Sequence, residues 1–171
     1  MGTGSGTGGE KPEIMAEEPA GYRIRAAAEA DWRQLMHVDE LVSGVLKPDY
    51  WRDLFANLSE KRLGERFIYL AERTGGKDGG ATAIGFVIGE VRAWEFGSEP
   101  CGWVFAISVD PAAREGRVGE ALLKRIQRAF KDSGVRIVRT MIARDNHLLM
   151  SFFRGEGMTA GPYIQLEKEM E

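Results

Sequence analysis

Apolar positions recur along this chain at two spacings, and the two alternate. Tyr22-Arg23-Ile24-Arg25 alternates and predicts a first strand. Trp32, Leu35, Met36, Val38 and Val42 follow at mostly helical spacing within Ala28 to Val42. Lys47-Pro48-Asp49 breaks the pattern and opens a second apolar stripe of Tyr50, Trp51, Leu54, Phe55 and Leu58. Strands are then predicted over Phe67 to Arg73 and Ala83 to Trp94, on either side of a glycine-rich turn, Thr74 to Gly80. Gly85 and Gly89 inside the second of these mark a bulge or a close backbone approach. After a loop, Gly97 to Gly102, the run Trp103 to Val109 is nearly all apolar, as in a strand covered on both faces.

The second half repeats the alternation. Val118, Ala121, Leu122, Ile126, Ala129 and Phe130 form one face of a helix that Ser133-Gly134 ends. A strand is predicted over Arg136 to Ala143. Asp145 then caps a short helix carrying Leu148, Leu149, Phe152 and Phe153, which stops at Gly155 to Gly157. Tyr163 to Glu167 reads as a last strand. The order β-α-α-β-β-β-α-β-α-β predicts an α/β chain, with an antiparallel meander leading into a parallel βαβ step and helices on both faces of a mixed sheet.

Composition narrows the function classes. The 171 residues suffice for one domain with a real core, expected over 21–171. Residues 1–20, which open on a Gly/Thr/Ser run, bury too little apolar area to offset their ordering entropy and are expected to form a disordered tail. A formal net charge of -3 argues against nucleic acid as the main partner. One cysteine, Cys101, allows neither an intrachain disulfide nor a multi-cysteine metal site, and no metal is expected. Apolar runs are too short for a membrane span and no secretory leader pattern is present, so a cytoplasmic enzyme or binding protein is expected.

The chemistry concentrates in Val109 to Leu123. A strand turning through a Gly-containing loop into a helix presents free backbone N–H groups at the positive end of the helix dipole, which makes an anion site. Arg114, Gly116 and Gly119 together exceed the needs of a plain turn, and the anion that fits is a pyrophosphate. The loop lacks both Gly-x-Gly-x-x-Gly and Gly-Lys-Ser/Thr, which disfavours an NAD- or ATP-binding fold.

These residues resemble the GNAT superfamily of acyl-CoA-dependent N-acyltransferases. Val109, Pro111, Arg114 and Gly119 fit its Val-x-Pro followed by Arg/Gln-x-x-Gly-x-Gly/Ala. Asn146, Leu149, Phe152, Phe153, Gly157 and Met158 fall on the spacing Asn-x-x-Ala-x-x-Phe-Tyr-x-x-x-Gly-Phe. The resemblance covers Tyr22 to Met170. It implies a splayed sheet of about six to seven strands and acetyl-CoA as co-substrate. The pantetheine arm would lie along Ile107, Ser108 and Val109, and the pyrophosphate on Arg114, Glu115, Gly116, Arg117, Val118 and Gly119. Asn146 and Phe153 would also contact the cofactor, Phe153 facing the thioester. It further implies direct attack by a primary amine of a small molecule or protein in a ternary complex, with no acyl-enzyme. Members are commonly dimers, so a homodimer is compatible with the resemblance.

The departures from the family pattern concern catalysis. Arg117 stands where the first loop glycine belongs and offers a charge-assisted contact to a phosphate instead. Phe153 occupies the place of a tyrosine acid, and Cys101 roughly that of a glutamate base. These two suggest an alternative, a non-catalytic acyl-CoA-binding regulatory module. For a base the first candidate is Glu90, an acid inside a strand beside Gly89. Its other reading is a solvated face or an ion-pair partner of Arg92. Glu95, Glu99 and His37 come next; His147 reads as a surface histidine and Cys101 as a packing residue.

Overall fold

The computed structural model describes residues 21–56, 65–73 and 80–170. The tail expected over 1–20, Leu58 of the second stripe and most of the turn expected at Thr74 to Gly80 lie outside them. The strands are β1 (Arg23–Ala26), β2 (Arg66–Arg73), β3 (Thr82–Arg92), β4 (Cys101–Val109) and β5 (Val138–Arg139). The helices are α1 (Trp32–Ser43), α2 (Pro48–Ala56), α3 (Val118–Asp132) and α4 (His147–Gly155), with short 3₁₀ turns at Glu29–Asp31, Glu95–Gly97 and Pro111–Gly116. The sheet runs β1-β2-β3-β4-β5. Neighbours are antiparallel as far as β4, and β5 pairs parallel to β4. The mixed sheet and the order of helices and strands are those expected, except at the last element.

Alternation along the strands divides the core. Ile68 and Leu70 of β2, with Phe86 and Ile88 of β3, pack against Leu35, Val38, Trp51, Leu54 and Phe55 of α1 and α2. Tyr69 and Ala71, with Ile84 and Val87, pack against Val118, Leu122, Leu123, Ile126 and Phe130 of α3. Period-2 side-chain direction on a two-sided sheet requires this division.

Two one-residue bulges perturb it. Glu72 opposes Ala83 while Ala71 opposes Gly85, so Ile84 is the extra residue on β3. Ile88 opposes Ala106 while Gly89 opposes Val104, so Phe105 is the extra residue on β4. The glycines expected to mark close approach, Gly85 and Gly89, do so: a Cβ on Gly85 would lie 3.0 Å from Ser108 O and one on Gly89 2.7 Å from the Phe130 ring. Gly102, expected in a loop, lies in β4 and approaches the same ring at least as closely.

Polar groups fix the start of the sheet. Glu72 is 1% exposed and receives Arg23 Nε at 2.5 Å and Arg25 Nε at 2.9 Å. Arg25 also grips Asp31 with two bonds, at 2.6 and 2.9 Å, and the Arg25 bond holds the Asp31 carboxyl below the usual carboxylate range.

The second half differs from expectation in three places. The strand expected over Arg136 to Ala143 is paired only at Val138 and Arg139, opposite Gly102 and Trp103. The last strand, expected at Tyr163 to Glu167, carries no strand pairing, and the described sheet has five strands where six to seven were expected. Ile164 and Leu166 are 85% and 86% exposed, so the segment keeps a strand's alternation without pairing to the sheet. Helix α4 is capped by Asn146, not Asp145: Leu149 N–H donates to Asn146 Oδ1 at 3.0 Å.

Candidate functional site

The site follows from β4 and β5 parting. β4 is paired to β3 along nearly its whole length, but its other edge meets β5 only at Gly102 and Trp103. From Val104 to Val109 that edge has no strand partner among the described residues. The bulge at Phe105 begins where the pairing stops, and a bulge bends its strand. The gap opens into a cavity of about 360 Å³. Its walls are β4 from Val104 to Ser108, Thr140 and Met141 beyond β5, and Leu149 and Phe153 of α4. On the α1–α2 side they are Asp39, Lys47, Tyr50, Trp51 and, from β3, Phe86.

Beyond β4 the chain forms the expected loop. The Asp110 carboxylate accepts from Ala112 N–H at 2.8 Å and starts the 3₁₀ turn with Pro111 at its first position. Tyr22 Oη donates to Gly116 O at 3.1 Å, tying the loop to the start of the sheet. Arg117 has φ 55° and ψ 25°, the left-handed region that glycine enters at least cost. Arg117, at the position of the glycine in the family pattern, thus takes a backbone conformation that glycine adopts readily. The Arg117 guanidinium pairs with Glu120 at 2.5 Å, and Lys124 holds the other carboxylate oxygen. Helix α3 opens at Val118, so the N–H groups of its first turn lack intrahelical acceptors. Gly119 sits beside Phe152, where an added Cβ would make ordinary contact at 3.5 Å. Arg114 and Glu115 are exposed on the turn.

The remaining candidates separate. Ile107 and Ser108 line the cavity, and Val109 lies under Gly119. Phe153 is 2% exposed and faces the cavity, while its neighbour Phe152 packs on it edge-on at 5.1 Å. Asn146 acts as the cap of α4, donated to by the N–H of the wall residue Leu149, and is not itself among the cavity-lining residues. Cys101 is buried at the start of β4, with Arg139 Nη1 at 3.4 Å from its sulfur. His37, His147, Glu95 and Glu99 are exposed and do not line the cavity.

Glu90 lies opposite Arg66 and Trp103 in the sheet, on the face of Phe86 and Ile88 that α1 covers. Its carboxylate is fully engaged. One oxygen accepts Arg66 Nη2 at 3.0 Å and the other Arg92 Nε at 2.9 Å. Burial alone would push its pKa up, but bonds from Arg92 and Arg66 outweigh this and hold it below the usual carboxylate value. Arg92 also stacks on Trp103 at 4.7 Å. Glu90 is not among the cavity-lining residues, and the geometry matches the other reading of this residue, an ion-pair partner of Arg92.

The carboxylate that does reach the cavity is Asp39 of α1, which the sequence reading did not single out. Its Oδ2 accepts the Trp51 indole N–H at 3.0 Å and the Lys47 ammonium at 2.8 Å. A signal was present: Asp39 continues the spacing Trp32, Leu35, Met36, so it is an acid in the inward stripe of a helix. Tyr50 lines the same wall. Burial, reinforced by the charge of Asp39, pushes its phenol above the ordinary value and keeps the hydroxyl protonated at neutral pH.

The site is thus a mixed sheet parted beside a bulged central strand, continuous with a turn that opens a helix N-terminus. The family model described as "Acetyltransferase (GNAT) family" matches residues 27–158, and the chain belongs to that family. The family uses acetyl-CoA as co-substrate.

Solved structures share the fold at low identity. The aminoglycoside antibiotic 6'-N-acetyltransferase AAC(6')-Ih from Acinetobacter baumannii has 15% identity and a TM-score of 0.69, over 88% of this chain and 100% of that one. AAC(6')-Iy, solved with the bisubstrate analogue CoA-S-monomethyl-acetylneamine, has 17% identity and a TM-score of 0.71, over 87% and 98%. A transcriptional regulator from Bacillus halodurans C-125 has 14% identity and a TM-score of 0.69, over 87% and 99%. No curated protein sequence matches the chain. No helix among the described residues is long and apolar enough to cross a membrane.

Proposed function

We propose that this chain transfers the acetyl group of acetyl-CoA to a primary amine by direct attack within a ternary complex. The observation that carries the reading is the unpaired edge of β4 from Val104 to Val109, open to the cavity and running into the Arg114 to Gly119 loop. An extended amide-bearing arm fits such an edge because it can take up strand hydrogen bonds that β5 leaves unmade. The first-turn N–H groups of α3 and the positive end of its dipole suit a pyrophosphate. Bound acetyl-CoA supplies an activated acyl group with a thiolate leaving group.

The protein's own residues do the rest. In this reading a backbone N–H of the β4 edge stabilises the developing oxyanion, and holding the two reactants together contributes through proximity. Phe86, Val104, Phe105, Leu149 and Phe153 wall the cavity with apolar surface, which strengthens these electrostatic contacts. Phe153 cannot donate a proton, but Tyr50, Ser108 and Thr140 bring hydroxyls to the same cavity. The chain therefore has a proton source without a tyrosine at position 153, which favours turnover over a non-catalytic binding module. The amine's own proton leaves to water or to a carboxylate on the α1–α2 side, and with Glu90 doubly ion-paired that group is not Glu90.

Gly119→Glu tests the cofactor assignment. The added Cβ meets Phe152 at an ordinary distance, so the backbone accepts a side chain there, and circular dichroism checks that the variant is folded. A carboxylate at the phosphate position is expected to weaken acetyl-CoA binding at least about 100-fold, or ~2.8 kcal/mol, by calorimetric titration. Unchanged affinity in the folded variant would reject the site.

A further inference from the structure

We infer that the α1–α2 wall of the cavity is an ammonium subsite, built by Asp39 and gated by Lys47, for an acceptor carrying one amine on an apolar or aromatic body. This rests on the acyl-transfer reading above and names the substrate class that the same cavity accepts.

Charge comes first. Asp39 is the one carboxylate among the described cavity-lining residues, and Lys47 already neutralises it. Arg66, whose charge reaches Tyr50, adds a positive potential on this side, and Glu90 is bound by Arg66 and Arg92. A polycation would meet one carboxylate and repulsion from these bases. A single ammonium meets a match.

Geometry comes second. Both partners of Asp39 bind Oδ2, while Oδ1 has no hydrogen-bond partner among the described residues. The Asp39 side chain is 14% exposed and is fixed by an indole that is itself 1% exposed. A fixed carboxylate with a spare oxygen at a cavity wall suits an incoming N–H donor. Lys47, 37% exposed on a flexible stem, places a primary ammonium where the acceptor's own would sit. It is an internal competitor that the acceptor displaces.

Shape comes third. Around Asp39 the walls are Tyr50, Trp51, Phe86 and Phe105, with Met141 across the gap. Such walls favour the burial of an apolar body and gain from aromatic contact. Of these walls only Tyr50 carries a hydroxyl and the Trp51 N–H is taken by Asp39, so most hydroxyls of a sugar ring would be left unmatched beside them on burial.

The reaction balances without another reagent. The acceptor ammonium loses a proton, its nitrogen forms a bond to the acetyl carbon, the carbon–sulfur bond breaks, and the CoA thiolate takes a proton. Asp39 holds the ammonium and accepts that proton directly or through water.

The test compares 2-phenylethylamine and tryptamine with spermidine and kanamycin, by CoA release and by quenching of Trp fluorescence with CoA present. The arylalkylamines are expected to exceed the polycations at least 100-fold in kcat/KM. Asp39→Asn, which keeps an oxygen for Trp51, should raise KM for 2-phenylethylamine more than tenfold and leave CoA affinity unchanged. Lys47→Met should move KM the opposite way, two- to fivefold lower. Preferred turnover of kanamycin or spermidine, or an unchanged KM in Asp39→Asn, overturns the inference. If no amine is acetylated, fluorescence decides it: saturable 2-phenylethylamine binding that Asp39→Asn weakens upholds the subsite, and its absence rejects it. Failure to bind CoA at all, read separately by calorimetry, counts instead against the acyl-transfer reading.

Discussion

The two walls of the cavity are made of different materials. The β4 side works through its backbone: an unpaired strand edge, a bulge, a residue in the left-handed region and a helix N-terminus. The α1–α2 side works through side chains: a carboxylate, an ammonium and aromatic rings. Backbone recognition suits a ligand that does not vary, because amide donors are insensitive to most substitutions provided the chain path holds. Side-chain recognition suits a ligand that differs from protein to protein, because a single substitution changes charge or shape. Relatives of this fold with identities of 14% to 17% illustrate how much sequence such a framework tolerates.

The comparison breaks most severely if the chain path of the β4 side is altered. Gly102→Ala would put a methyl group 2.4 Å from the Phe130 ring, which is fully buried between α3 and the sheet. Overpacking there is expected to cost about 3 kcal/mol, read as a lower denaturation midpoint with unchanged m-value. Gly119→Ala, on the same side but with ordinary contacts, should shift the midpoint little. Equal effects of the two would mean that the close approach of α3 to β4 is not what shapes this wall.

Glu90→Gln sharpens the other side. As an ion-pair partner, Glu90 acts on stability and not on proton transfer. Its folded-state pKa is depressed, so its contribution is present above the ordinary carboxylate value and is lost as pH falls through the folded one. Parent and variant should therefore differ in thermal stability at pH 7 and converge as pH approaches 3. The change in kcat should stay below about tenfold, ~1.4 kcal/mol in barrier, with the same pH profile. A loss near 100-fold that shrinks as pH rises would restore Glu90 as the base.

Arg117→Gly has the smallest expected effect. Relief of the left-handed strain at φ 55° should raise stability by about 0.5 to 1 kcal/mol, since the pair it gives up with Glu120 is exposed on the arginine side and worth little. Acetyl-CoA affinity should change less than tenfold. A destabilised variant would show that the Arg117–Glu120–Lys124 cluster holds the loop, and that a side chain, not the backbone, governs this wall.

The sequence by itself determined the elements whose cause is local. The stripe Val118, Leu122, Ile126 and Phe130 needs only helical periodicity and a glycine stop, and the Asp110–Pro111 turn needs only its own residues. The strand–turn–helix that carries the proposed anion loop was legible for the same reason: three elements in succession bring their free N–H groups together without help from distant residues. The resemblance to the family rested on this contiguity.

Tertiary structure decided everything that depends on a partner. Tyr163 to Glu167 alternates like a strand, yet a strand exists only where an edge accepts it, and Ile164 and Leu166 remain exposed. Arg136 to Ala143 had the composition of a full strand, but the bend of β4 at Phe105 leaves only Val138 and Arg139 within pairing reach. Glu90 stands inside the expected strand, and only the cross-strand register shows Arg66 bound to it. Asp39 was visible as an acid in an apolar helical stripe. That it closes on Trp51 and Lys47 at the cavity wall follows from the way α2 packs back beside α1 over the sheet. Local periodicity is written into consecutive residues; the free energy of a pairing or a charge contact depends on which groups the folded chain brings within about 3 to 4 Å of each other.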